Sequence, residues 1–251
     1  MKWLTIFLDF PADGFEAGVA FWQEVTGSGL SPFRGEGRQF ATLLPPAGDP
    51  WLRVQRVASG PGGCHLDLHV DMSTGTLDDA ARDATALGAT VRYREGGLII
   101  CESPGGFTFC LVRWEGETKP PAAVSAAGTT CLADQLCLDV PPGVDFERER
   151  RFWAALLGVV PPEPGVGGRA EFSWVGRGAG VVRLLTQQRV LAEPGERVTG
   201  HVDAGCADLA ATTRSHVAAG ARVVAQDAWW TVLADPAGRQ YCLVARPVAS
   251  R

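Results

Sequence analysis

The segment HLDLHV, residues 65–70, alternates strictly between polar and apolar side chains over six positions. A period of two is the pattern of a β-strand, because successive side chains of a strand point to opposite faces of the sheet. The leucines and Val70 therefore suit a face covered by a helix, and His65, Asp67 and His69 share the opposite face. Three titratable groups in a row are unusual for such a strand, which would ordinarily carry Thr or Ser.

A second copy of this strand, HVD at 201–203, is accompanied by repeats of the neighbouring landmarks. The first half of the chain contains, in order, FLDF, FW, QRV, HLD, LGA and FCLV. The second half contains CLDV, FW, QRV, HVD, AGA and YCLV, each 130 to 136 residues later. A period this long indicates duplication of a whole domain. We therefore predict a domain at 1–114, a linker at 115–129 and a second domain at 130–251.

Each copy is predicted to contain two β-α-β-β-β units, whose helices cover one sheet face and leave the other bare. Apolar spacing predicts helices at 15–25, 77–87, 146–157 and 208–219. Alternation and turn residues predict strands at 3–10, 39–44, 51–57, 66–70, 91–94, 98–102 and 107–112 of the first copy. Asp13 is predicted to cap the first helix.

Composition excludes several classes of function. The net charge of −5 and the absence of Lys/Arg-rich runs argue against binding to nucleic acid or to an anionic membrane. No apolar stretch approaches the ~18 residues of a membrane helix, and the apolar N-terminus is interpreted as a first strand. Seven cysteines, an odd number without CxxC, favour a reducing cytoplasm. A monomer is the default expectation, with a homodimer as the alternative.

Taken together, three features resemble the vicinal oxygen chelate superfamily of glyoxalase I, bleomycin-resistance proteins and extradiol dioxygenases. They are the helix endings at 21–27 and 152–158, the strand-opening histidines, and the closing turn-strands at 102–112 and 235–244. The resemblance covers nearly the whole chain, once per domain. It implies an α+β fold of two tandem glyoxalase-like domains, in which two βαβββ units form a curled mixed sheet with helices on its outer face.

Enzymes of this superfamily bind a divalent metal in the cup of the sheet. Their ligands are a His or Gln on the first strand, a His opening the fifth and a Glu on the eighth, with a fourth-strand Glu in some members. The residues near the first, fourth, fifth and eighth positions are Thr5, Gln55, His65 and Cys110 in one copy, and Gln135, Gln188, His201 and Cys242 in the other. Because thiols replace the anionic Glu, no metal or other cofactor is expected. If a metal binds, Gln135, His201 and Cys242, or His65 and Cys110, would hold it.

Two functions remain open. In the first, the protein binds a small, partly apolar or aromatic molecule without a metal, using the residues at the superfamily positions. The other contacts would come from Asp67, Asp203 and the candidate pocket walls Trp51, Trp229 and Trp230. In the second, the C-terminal domain is a metal-dependent or histidine-based enzyme, a lyase, isomerase or dioxygenase, with His201 as general base or metal ligand. His65 is the equivalent candidate in the first domain.

Other side chains are predicted to have no part in the site. Trp22 and Trp153 lie at core spacing in their helices and are predicted to be structural. His69 is predicted to be a solvated residue at the rim, and His216 to lie on the surface of its helix.

Overall fold

The computed structural model describes residues 1–126, 129–160, 171–177, 180, 182–191 and 196–248. The first copy contains β1 Trp3–Pro11, α1 Phe15–Thr26, β2 Gly29–Leu30, β3 Phe40–Leu44, β4 Leu52–Val57, β5 Gly63–Val70, α2 Leu77–Ala86, β6 Thr90–Glu95, β7 Leu98–Glu102 and β8 Thr108–Arg113. The second contains β9 Val124–Ala126, β10 Thr129–Val140, α3 Phe146–Leu157, β11 Phe172–Arg177, β12 Arg183–Gln188, β13 Thr199–Cys206, α4 Leu209–Ala218, β14 Arg222–Gln226, β15 Trp230–Ala234 and β16 Gln240–Ala245.

The strands form two open, eight-stranded mixed sheets. Their orders are β2-β3-β4-β1-β5-β8-β7-β6 and β11-β12-β10-β13-β16-β15-β14, with β9 paired to β10. The pairs β5–β8 and β13–β16 are parallel, whereas the hairpins beside them are antiparallel. The predicted fold class, α+β with two tandem domains of paired βαβββ units, is confirmed.

Local signals explain most boundaries. Helices α1 and α3 end at Gly27 and Gly158, which adopt the left-handed conformation (φ 59° and 66°) that a residue without a Cβ tolerates best. The prediction that Asp13 caps α1 was wrong, because Gly14 holds that position and supplies no side chain. The short strands β2 and β9 were not predicted, since two or three residues are too few to show alternation.

The chain folds into two compact units, and each combines segments of both sequence copies. Unit 1 contains Met1–Ile6, His65–Thr118 and Leu136–Gly200. Unit 2 contains Phe7–Cys64, Lys119–Gln135 and His201–Arg251. The predicted boundaries at 114 and 130 follow the sequence repeat, and they stay a prediction.

The aromatic core of unit 1 joins a helix of the second copy to a strand region of the first. Phe152 and Trp153 of α3 pack against Phe109, with ring centroids 5.9 and 5.3 Å apart. Trp153 also contacts Phe107. All four side chains are buried, so the predicted structural role of Trp153 is confirmed.

Unit 2 has the reciprocal arrangement around α1. Trp22 contacts Tyr241 of the second copy at 5.2 Å between ring centroids and donates a hydrogen bond from Nε1 to Asp235. Phe21 packs edge-on against His216, which is only 4% exposed and lies 2.8 Å from the Tyr241 hydroxyl. The structural role of Trp22 is confirmed, and the surface position predicted for His216 was wrong. Its helix face packs against this aromatic core instead of facing solvent.

Burial of His216 predicts a pH-dependent stability. Burial lowers the pKa of His216 from 6.5 to about 4 in the folded protein, so only the unfolded chain takes up this proton between those values. The contribution of neutral His216 to the free energy of unfolding is therefore complete above pH 6.5. It is lost as the pH falls toward 4, by about 3 kcal/mol at ~1.4 kcal/mol per pH unit. Urea unfolding at acid and neutral pH should show a smaller pH difference for His216→Gln than for the wild type. An unchanged difference would contradict this assignment.

Candidate functional site

Four polar side chains of the second copy form what we call the C-terminal cluster. It consists of Gln135 on β10, His201 and Asp203 on β13, and Cys242 on β16. Asp203 and Cys242 are direct partners in the parallel ladder, and His201 precedes Asp203 by two residues on the same sheet face. One ligand atom each of His201, Asp203 and Cys242 lies within 4.8 Å of the others. Gln135 and Asp203 are 3% and 4% exposed.

The buried carboxylate of Asp203 organises this cluster. Its Oδ2 accepts a hydrogen bond from the Gln135 side-chain NH₂ group, which fixes the amide orientation because the reverse orientation would bring two acceptors together. Its Oδ1 lies 3.2 Å from His201 Nε2 but makes no hydrogen bond with the described residues. Gln135 Oε1 is likewise buried without a donor among those residues. Two buried acceptors on hydrogen-bonded side chains thus lack hydrogen bonds of their own, which is costly inside a protein unless something binds there.

The N-terminal cluster consists of Thr5, His65, Asp67 and Cys110, and its hydrogen bonds differ from those of the C-terminal cluster. Ligand atoms of His65, Asp67 and Cys110 lie within 4.8 Å of one another, and His65 Nε2 is 3.9 Å from Asp67 Oδ1. Thr5, however, is hydrogen-bonded through Oγ1 to His69 Nε2 at 2.9 Å.

His69 is enclosed, not solvated. It is 1% exposed, and its Nδ1 lies 3.3 Å from Glu117 Oε1 in the segment that follows β8. The rim position predicted for His69 was therefore wrong, because this segment covers the end of β5. Thr5, His69 and Glu117 form a hydroxyl–imidazole–carboxylate chain with 1% exposure at both Thr5 and His69. We interpret it as structural, since no substrate could approach side chains that are this buried.

The sequence analysis did not identify the ion pair that Arg246 forms with Asp134 near the C-terminal cluster. Arg246 donates from both terminal nitrogens to the two oxygens of Asp134, which is 6% exposed. Its guanidinium lies against Gly205, the residue that takes the place of His69 in the second copy. The repeat shows that the second copy has Gly205 where the first has His69. This difference could have indicated that another side chain occupies the position of the missing imidazole.

The remaining predicted residues are dispersed. Gln55 pairs with Phe40 in the β3–β4 ladder, and the Gln188 N–H donates to the Glu171 carbonyl. Gln55 belongs to unit 2, whereas the N-terminal cluster belongs to unit 1. Gln188 belongs to unit 1, whereas the C-terminal cluster belongs to unit 2. Their roles in a site stay predictions.

The three tryptophans predicted as pocket walls have different positions. Trp51 is buried, donates from Nε1 to the Ala133 carbonyl at 2.5 Å and lines a narrow apolar pocket of unit 2 beside His216. Trp229 is 65% exposed. Trp230 has the same strand parity as Val232, the partner of Cys242, so Trp230 shares the sheet face of the C-terminal cluster.

A family model described as a glyoxalase-like domain matches the chain twice, at residues 5–112 and 135–244. The chain belongs to the glyoxalase-like domain family. Both matches include the strand-opening histidine and the eighth-strand cysteine of their copy. A comparison of this glyoxalase-like protein with curated proteins gave no match.

Solved structures show the same fold at low sequence identity. The 2,2',3-trihydroxybiphenyl 1,2-dioxygenase from Sphingomonas wittichii strain RW1 is similar with a TM-score of 0.61 and 17% identity, over 98% of this chain and 90% of that one. The 2,3-dioxygenase LapB from Pseudomonas sp. KL28 gives 0.63 and 14%, over 98% and 92%. A Mn(II)-bound glyoxalase from Novosphingobium aromaticivorans gives 0.59 and 13%, over 97% and 81%. The predicted resemblance to the vicinal oxygen chelate superfamily is confirmed.

Within the described ranges, the glyoxalase-like protein has no helix with the length and apolar character needed to cross a membrane.

Proposed function

We propose that this glyoxalase-like protein binds a small molecule at the C-terminal cluster and that the ligand supplies hydrogen-bond donors. The observation that carries the proposal is the pair of buried acceptors, Gln135 Oε1 and Asp203 Oδ1, without donors among the described residues. A ligand with two adjacent O–H groups would satisfy both at once. Because buried polar atoms are nearly always hydrogen-bonded, such a ligand removes an existing penalty as it binds.

Differences between the copies support the C-terminal cluster over its N-terminal counterpart. Thr5 already has a hydrogen bond with His69. At the corresponding positions the second copy has Gln135 and Gly205, so Gln135 cannot make the bond that Thr5 makes with His69. We therefore assign ligand binding to the second copy and a supporting role to the first.

An aromatic molecule with neighbouring hydroxyl groups is the ligand class that this arrangement favours. Its hydroxyl groups would donate to Gln135 and Asp203, and its ring would pack on the sheet face that carries Trp230. Solved structures of the same fold include a catechol 2,3-dioxygenase and a trihydroxybiphenyl dioxygenase. His201, 3.2 Å from Asp203, is in position to accept a proton from such a hydroxyl group.

Binding of para-propylcatechol in the presence of EDTA tests this proposal. We expect saturable one-to-one binding by calorimetry, together with a change in tryptophan fluorescence, since Trp230 lies on the face of the cluster. EDTA should leave the affinity unchanged. Absence of binding, or binding that requires added metal, would overturn the metal-free form of the proposal.

A metal-dependent enzyme is the second candidate, and one observation favours it. His201, Asp203 and Cys242 offer three ligand atoms within 4.8 Å of one another, and Gln135 Oε1 is a buried acceptor beside them. An imidazole, a thiolate and a carboxylate suit Zn²⁺ better than Mg²⁺ or Ca²⁺. Asp203 was not among the expected metal ligands, and it supplies the anionic oxygen that the replacement of Glu by Cys242 removes. A bound metal would polarise a carbonyl or hydroxyl oxygen of the substrate.

Metal content separates the two candidates. Protein prepared without chelator should contain about one equivalent of a transition metal if the second candidate is correct, because such donor sets bind these ions tightly. Cys242→Ser should then lose the metal, and Cys110→Ser, its counterpart in the first copy, should retain it. A metal content near zero would leave the metal-free proposal.

We also propose that the protein works as a monomer in a reducing compartment such as the cytoplasm. No disulfide links the cysteines in the described part of the chain, and burial raises the pKa values of Cys101 and Cys131 to about 11 and about 12, which keeps them as thiols. The duplication places two glyoxalase-like copies in one chain, which supports the monomer.

A further inference from the structure

The guanidinium group of Arg246 lies on the same sheet face as the C-terminal cluster. His201, Asp203 and Gly205 alternate along β13, so a Cβ at Gly205 would point to the side of the other two side chains. Such a Cβ would lie only 2.5 Å from Arg246 Cζ. The guanidinium therefore occupies the space in front of Gly205, two residues along the strand from Asp203.

One donor of this guanidinium lacks an acceptor. The terminal nitrogens of Arg246 are engaged by the carboxylate of Asp134, whereas Nε is buried without a hydrogen-bond partner among the described residues. A buried N–H without an acceptor carries the same kind of penalty as the two acceptors without donors at Gln135 and Asp203. Gln135 Oε1, Asp203 Oδ1 and Arg246 Nε are thus three buried polar atoms without partners among the described residues. A ligand that complements them carries donors for the two acceptors and an acceptor for the one donor.

We propose that the ligand of the C-terminal cluster is a vicinal diol that also carries an uncharged acceptor oxygen, which accepts the Nε–H of Arg246. This inference rests on the proposed function, because it extends the same site. Two residues along a strand span about 7 Å, so the acceptor lies roughly that far from the hydroxyl groups.

Charge decides between a carbonyl and a carboxylate acceptor. Asp134 already neutralises Arg246 through two hydrogen bonds, so no net positive charge remains there. Asp203 adds a carboxylate to the same face. A second anion on the ligand would be desolvated beside it without compensation, whereas a ketone or amide oxygen accepts the hydrogen bond without that cost.

Three catechols with matched para substituents test the inference. The acetonyl compound has a neutral carbonyl, the propyl compound has no acceptor, and the carboxymethyl compound has an anionic one. We expect the acetonyl compound to bind about 5- to 10-fold more tightly than the propyl compound, as for one net hydrogen bond. The carboxymethyl compound should bind more weakly than the acetonyl compound.

Two variants separate the contribution of Nε from that of the fold. Arg246→Lys keeps a cation for Asp134 but has no Nε–H, and the double variant Asp134→Leu with Arg246→Met removes the ion pair altogether. In both variants, the advantage of the acetonyl compound over the propyl compound should disappear. Arg82→Lys, an exposed arginine paired with Asp79 on α2, is the matched control and should retain the advantage.

Each result of this experiment has a distinct meaning. Equal affinities of the acetonyl and propyl compounds for the wild type would overturn the inference and leave the proposed function intact. Tighter binding of the carboxymethyl compound would show that the acceptor is anionic, which also contradicts the inference. Failure of all three compounds to bind would overturn the proposed function itself.

Discussion

Asp203→Asn is expected to weaken binding of para-propylcatechol by about 10- to 100-fold, the effect of losing a hydrogen bond to a charged acceptor. Asparagine keeps the size of the side chain, but one of its two terminal atoms becomes a donor. The NH₂ group of Gln135 and a ligand hydroxyl group would then compete for one remaining oxygen. Calorimetric titration in EDTA measures the effect, and the unfolding transition shows whether the variant is folded.

Asp67→Asn is the matched control, because Asp67 occupies the same strand position in the first copy. Its affinity for the probe should remain that of the wild type if the second copy binds the ligand. Equal losses in the two variants would show that both copies bind. A loss in Asp67→Asn alone would contradict the assignment to the C-terminal cluster.

Glu149→Ala is expected to destabilise the protein by about 4 kcal/mol, the sum for two buried donors that lose their acceptor. Glu149 is 0% exposed on α3, and its carboxylate accepts hydrogen bonds from Gly105 N–H at 2.7 Å and Trp153 Nε1–H at 2.8 Å. Urea unfolding gives the free energy, and the melting temperature should fall by roughly 10 °C. Arg151→Ala, whose side chain on the same helix is 76% exposed, should change stability by less than about 1 kcal/mol. Similar effects of both substitutions would contradict this role.

The same carboxyl group predicts a dependence on pH. Burial raises the pKa of Glu149 above its ordinary value, outweighing its hydrogen bonds. The folded state therefore holds this proton more tightly than the unfolded chain does. The contribution of protonated Glu149 to the free energy of unfolding is complete below the ordinary pKa of a glutamate. It is lost as the pH rises through the raised pKa that Glu149 has in the folded protein. Glu149→Gln should remove this part of the pH dependence, and an unaltered profile would argue against it.

Alternation, helical spacing and the internal repeat predicted the βαβββ units, and the family resemblance implied how these units combine into the fold. The spacing of His201 and Asp203 fixes them on one face, and the family resemblance implied that Gln135 and Cys242 are their neighbours on other strands. The sequence did not indicate that Asp203 would accept a hydrogen bond from Gln135 and leave an acceptor on each residue without a donor. That depends on side-chain directions, which strand parity does not determine.

The errors share a physical cause. His69 and His216 were assigned to solvent because their own elements expose polar neighbours, but residues distant in sequence cover both. Glu117 covers His69, and the aromatic rings of α1 cover His216. Burial by a distant segment leaves no periodic signal, so local patterns underestimate it.

The sharing of each aromatic core between the two copies has an evolutionary consequence. Trp153 packs on Phe109, and Trp22 packs on Tyr241, so each half of the gene encodes one side of both interiors. A change of ring size in one half therefore alters the packing of a ring that the other half encodes. Within this packing the equivalent rings Phe109 and Tyr241 differ only by a hydroxyl group, whereas positions outside it, such as Thr5 and Gln135, differ in their chemistry.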